Sequence, residues 1–95
     1  MTSIPVVSPE RMMFVVFDNV AECWIGQIIV EKHFAPACRL FSQLLADKST
    51  QLAAHPNDYD LYFIGYVNDA GVIDGSERKI VMTGASWVVA NSPKE

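Results

Sequence analysis

Apolar residues gather into a few stretches of this chain, and the spacing differs from one stretch to the next. Met12 to Phe17 (M-M-F-V-V-F) is uninterrupted and ends at Asp18-Asn19. Its length and its β-branched and aromatic content predict a strand buried on both faces, in the middle of a sheet. Trp24 to Glu31 (W-I-G-Q-I-I-V-E) predicts a second strand with Gly26 as a bulge. The link between them, Val20 to Cys23, is ambiguous and fits a short turn. From Phe34 to Asp47 the period changes. Phe34, Ala37/Cys38, Phe41 and Leu44/Leu45 recur at three- and four-residue intervals, the stripe of an amphipathic helix. Pro36 suits the first turn, where its missing N–H costs no helical bond. Arg39, Gln43 and Asp47 fall on the opposite, solvent side. Ser49 to Ala54 adds a short helical turn before Pro56.

Tyr59 to Asn68 carries the clearest strand pattern, entered through His55-Pro56 and left through Asn68-Asp69-Ala70-Gly71. Strict alternation puts Tyr59, Leu61, Phe63 and Val67 on one face and Asp60, Tyr62, Ile64 and Tyr66 on the other. Neither face is purely polar, so the strand is central or its second face meets another subunit. Val72-Ile73 forms a short return strand after a glycine-containing turn. Asp74 to Lys79 reads as a polar loop. Ile80 to Met82 and Ser86 to Ala90 form either one kinked strand or a short strand and a turn. The sum is β-β-α-β-β-β: an α+β domain, a mainly antiparallel sheet with one helix packed on it. The domain spans residues 12–90, between an extended N-terminal arm (residues 1–11) and a tail (residues 91–95). Ile4, Val6 and Val7 leave two readings of the arm, flexible or laid on a neighbouring subunit.

Ninety-five residues make one small domain, and its 51% hydrophobic and 19% charged content is more apolar than average. Surplus apolar surface favours a homo-oligomer, a dimer or larger. The net charge is −4, and of the seven basic residues only Arg78-Lys79 are adjacent. That argues against strong non-specific nucleic-acid binding by a monomer, although an oligomer could align Arg39, Arg78 and Lys79. No apolar run approaches the roughly 20 residues of a membrane span. The start of the chain lacks a signal-peptide pattern, so no membrane partner is expected and Cys23 and Cys38 are expected reduced and buried.

Catalytic chemistry finds little support. His33, His55 and the two cysteines have no zinc-ligand spacing, so neither a metal nor a cofactor is expected. Asp58 and Asp60 could in principle share acid–base work, but a turn cap and a solvated strand end explain them more simply. No serine sits in a nucleophile-elbow motif and the glycines form no phosphate loop. The expectation is a protein that is not an enzyme. Trp24, Tyr59, Tyr62, Phe63, Tyr66 and Trp87 remain as stacking platforms for single-stranded bases, against the plainer reading of core or subunit contact.

The stretch His55-Pro56-Asn57-Asp58-Tyr59-Asp60-Leu61-Tyr62-Phe63-Ile64-Gly65, followed by Asn68-Asp69-Ala70-Gly71, resembles the small non-structural protein of gokushovirus-type microviruses, single-stranded DNA phages. Phe17-Asp18 ends the first strand as in that family, Ala21 and Trp24 follow, and Ala37-Cys38-Arg39-Leu40-Phe41 matches its A-x-R-x-F helix. The similarity runs from about Met13 to Val88. Gln27-Ile28-Ile29 and Thr83-Gly84 depart from the family pattern. The resemblance implies an accessory role in viral single-stranded DNA synthesis or packaging, in the cytoplasm of the infected bacterial host, with the viral strand and phage replication or packaging proteins as partners. The contact residues expected for nucleic acid are Arg39, Arg78, Lys79, Tyr62 and Tyr66, with Ile64 and Trp87 at an interface. The rival is a protein-interaction module that binds a host or viral protein and no DNA.

Overall fold

The computed structural model describes residues 10–75 and 78–92. The expected arm up to residue 9, two residues of the 74–79 loop and the end of the tail lie outside these. Strand β1 (Arg11–Asp18) turns through residues 19–22 into β2 (Cys23–Glu31). The turn is held by Asp18, whose Oδ1 accepts the backbone N–H groups of Val20 (2.9 Å) and Ala21 (3.1 Å). Helix α1 (Phe34–Ala46) and the short α2 (Gln51–Ala54) follow, then a 3-10 turn (Pro56–Asp58) that opens β3 (Tyr59–Val67). Two short strands, β4 (Ile73–Asp74) and β5 (Lys79–Thr83), precede a closing helix α3 (Gly84–Asn91).

The sheet is antiparallel throughout, in the order β2-β1-β3, with β4 and β5 placed one after the other along the far edge of β3. β1 is central, as its uninterrupted apolar run requires: Met13, Phe14, Val15 and Val16 are all buried, on alternating faces. Helix α1 buries Ala37, Phe41 and Leu45 against Phe14, Val16, Leu61 and Phe63, and Leu52 of α2 closes the same cluster. Full burial of Phe14, Phe41, Phe63, Leu45 and Leu61 contributes about 1.5–3 kcal/mol each before conformational entropy is counted. Phe14, Phe34 and Phe63 meet edge to face with ring centroids 5.7–6.0 Å apart. Arg39, Gln43 and Asp47 face solvent, as the helical stripe predicts.

Three expectations are corrected. Ser86 to Ala90 is neither strand nor turn but lies in helix α3, which adds a helix to α1 and to the short helical turn expected at Ser49–Ala54. Thr83 caps that helix, its Oγ1 accepting the Ser86 N–H at 3.0 Å. Gly84 lets the helix start against the 3-10 turn, since a Cβ there would overlap the Pro56 carbonyl oxygen. Strict alternation along β3 also fails. The β1–β3 register shifts between Met13 and Phe14, so that Met13 pairs with Gly65 while Phe14 pairs with Phe63. This bulge carries Tyr66 to the helix-covered face, where its ring lies 5.0 Å from Phe63. Cys23, expected buried, is exposed at the start of β2, while Cys38 is half-buried; both are free thiols.

Candidate nucleic-acid interface

All three helices pack toward one face of the sheet, and the residues paired as Val15–Tyr62 and Phe17–Asp60 point to the other. On that second face the β1–β2 hairpin sets Trp24 opposite Phe17, because the turn at residues 19–22 fixes their register. Tyr62 reaches the same spot from β3. The three rings form one cluster: Phe17–Trp24 at 4.8 Å, Trp24–Tyr62 at 5.2 Å and Phe17–Tyr62 at 6.0 Å, all edge to face. Trp24 remains 40% exposed, which leaves ring surface for another planar group.

Arg78 completes the cluster. Its guanidinium carbon lies 5.8 Å from the Trp24 ring centroid and 5.9 Å from that of Tyr62. Cation–π attraction to the two rings favours the cation at this position. Among the described residues no carboxylate forms an ion pair with it; the salt bridge present joins Arg11 to Asp69 at the far end of β1. A guanidinium so placed can donate N–H groups to an anion or lay its plane on a base. Beside it Val15, Gly26, Ile28, Ile64 and Gly75 line a shallow, open, largely apolar depression of about 440 Å³.

The other expected contact residues do not converge here. Lys79, one residue on, projects to the helix-covered face, its ammonium 5.7 Å from the Phe63 ring. Tyr66 is on that face as well, and Arg39 is exposed on α1. Ile64 borders the depression, whereas Trp87 sits in α3, half-buried against the core. So of the cations and tyrosines singled out in the sequence, the structure joins Arg78 to Tyr62 alone. It adds Phe17 and Trp24, whose signal was the hairpin itself: two aromatics on either side of a tight turn pair across it.

The acid–base alternative gains nothing from the geometry. Asp60 Oδ2 accepts the Asn19 side-chain N–H at 2.9 Å, and Asn19 also donates to the Asp58 carbonyl, which ties the hairpin turn to the start of β3. His33 and His55 are exposed at helix ends. Among the described residues no group of three or more His, Cys, Asp or Glu side chains is placed to hold a metal ion. None of the described helices is long and apolar enough to cross a membrane. Two groups beneath the sheet shift upward: burial raises the Cys38 thiol, and burial with the nearby charges of Asp18, Asp58 and Cys23 raises the Tyr59 hydroxyl. Asp47 shifts down, its carboxylate accepting the Ser49 hydroxyl at 2.7 Å and the Ser49 N–H at 3.0 Å.

Comparison with known proteins gives one result. The profile of the Phage ORF5 protein family matches residues 11–87, from the first strand into the last helix, and the chain belongs to that family. No curated protein and no solved structure matches it.

Proposed function

We propose that this member of the Phage ORF5 protein family is a non-enzymatic accessory protein of viral single-stranded DNA synthesis or packaging, acting in the cytoplasm of the infected bacterium. It engages the strand through the helix-free face of its sheet. The observation that carries this reading is the Arg78 guanidinium lying over Trp24 and Tyr62, with no ion pair to a carboxylate among the described residues. Exposed aromatics on an open sheet face stack bases without regard to sequence, and an adjacent arginine takes the phosphate or stacks on the base. The net charge of −4 works against the polyanion, so the binding is weak and lost with added salt.

A fluorescence-anisotropy titration of a labelled single-stranded oligonucleotide tests it. Binding is expected at low salt. Arg78→Ala and Tyr62→Ala each weaken it by about tenfold, the scale of one stacked base. Arg39→Ala and Lys79→Ala change it little, because those cations sit on the other side of the sheet. Absence of binding at low salt overturns the proposal.

A second reading, a module that binds a host or viral replication or packaging protein without DNA, draws support from the acidic balance and from Val72, Ile73 and Ile80, which are at least half exposed on the β4–β5 edge. Pull-down from infected cells with nuclease treatment separates the two: a partner that survives nuclease is bound directly.

A further inference from the structure

We infer that the outer edge of β2 is a self-association edge, onto which a second copy of the chain adds its own β2 across a twofold axis. β2 is nine residues long and pairs with β1 on one side; among the described residues nothing hydrogen-bonds to its other side. At about 3.4 Å per residue this leaves roughly 30 Å of backbone donors and acceptors open. Exposed strand edges are ordinarily blunted by lysine, proline or inward charge. This one carries no Lys, Arg or Pro, and Glu31, its single charged residue, stands at the very end. Instead it presents Ile28, 55% exposed, and Val30, 45% exposed.

The register of the strand is self-complementary. Against β1 it shifts between Phe14 and Val16, which divides β2 into two regular segments, Cys23–Ile25 and Ile29–Glu31, around Gly26–Ile28. With Gln27 on the twofold axis, each regular segment meets the other segment of the second copy. Ile25 then lies opposite Ile29 on the helix-covered face, and Trp24 opposite Val30 on the open face. Each pair occurs twice, as an isologous interface requires, and these two pairs are apolar and share a face. No other alignment uses the whole strand.

The surface does not end at the strand. An open apolar groove runs between β2 and α1, walled by Ile25, Ile29, Leu40 and Leu44 and continuous with the edge. Leu40 is 37% exposed on its rim. Strand pairing supplies hydrogen bonds, and apposition of the two grooves supplies apolar area toward the roughly 800 Å² per partner of a stable interface. Twofold pairing joins the two sheets into one. Both Arg78–Trp24–Tyr62 clusters then stand on a single continuous face, which would present a strand with two contact points instead of one.

The inference does not rest on DNA binding, and its test uses nuclease-treated protein without nucleic acid. Light scattering coupled to size exclusion should give a dimer mass for the wild type at micromolar concentration. Ile28→Lys with Val30→Lys should give a monomer of unchanged far-ultraviolet circular dichroism, because both positions are already exposed. Val72→Lys with Ile73→Lys, on the opposite edge of the sheet, should remain dimeric. A monomeric wild type, a dimeric β2 variant, or dissociation by the opposite-edge variant would overturn the assignment. Should the β2 variant fail to fold, hydrogen exchange of the wild type decides. Slow exchange along β2 that speeds up on dilution supports the edge. Dilution-independent exchange there overturns it.

Discussion

A side chain at Gly65 would overlap the Asp74 carbonyl oxygen, at a φ of 146° that L-residues rarely adopt. Gly65→Ala should therefore cost about 2–4 kcal/mol, from backbone strain and forced displacement of β4. Urea unfolding would measure it. Gly71→Ala, at φ 82° in a turn with open space around it, should cost only about 1 kcal/mol. A second prediction concerns alkaline pH. Tyr59 and Cys38 hold their protons more tightly folded than unfolded, so their contribution is complete below the ordinary values, about 10 and 9, and is lost as pH rises through the raised folded ones. Stability should fall from about pH 9 upward through these two groups. Tyr59→Phe should flatten the decline above pH 10 relative to its own neutral-pH stability; an unchanged slope would contradict the assignment to Tyr59. The Gly65 conformation also shows where reading side-chain alternation from sequence reaches its bound. A period of two assigns faces correctly from Tyr59 to Phe63, and one extra residue at the bulge reverses it for Tyr66.

Elements with a long, clean period were legible, and the short ones were not. β1, β2, β3 and α1 follow from their apolar spacing to within a residue or two at each end. α3 was missed because Val88 and Val89 favour strand, and an eight-residue helix that buries little has no strong stripe. Its true signal was local: Thr83 and Ser86 stand at N-cap spacing, with the Thr83 Oγ1 accepting the Ser86 N–H and the Ser86 hydroxyl donating back to the Thr83 carbonyl at 2.8 Å. Thr83→Ala should remove that cap and cost about 1 kcal/mol, with loss of amide protection confined to α3. Thr83→Ser should restore most of it. The β1–β2 hairpin depends in the same way on Asn19, which donates to the Asp58 carbonyl and to Asp60. Asn19→Ala should cost about 1 kcal/mol by thermal denaturation.

The molecule divides into a helix-covered face that is packed and a bare face on which Arg78 lies against an aromatic cluster. Alternation along β3 puts Tyr62, Ile64 and Tyr66 on one face; the structure keeps Tyr62 and Ile64 on the bare face and carries Tyr66 to the other. Arg78 and Lys79 are neighbours in the chain, but Arg78 precedes β5 and lies over Trp24 and Tyr62, while Lys79, the first residue of β5, lies over Phe63 on the other face. Trp24 and Phe17 join Tyr62 only through pairing between strands, which composition does not display. On the proposed reading, the acidic balance of the whole chain weakens contact with DNA, and the Arg78 cluster is where that contact is proposed. The measurement that addresses this most directly is a ¹H–¹⁵N NMR titration of the protein with a short single-stranded oligonucleotide at low salt. The predicted result is a set of shifts centred on the Trp24 indole, Tyr62 and Arg78 that disappears as salt is added. Shifts centred on α1 around Arg39, or none at any salt concentration, would contradict it.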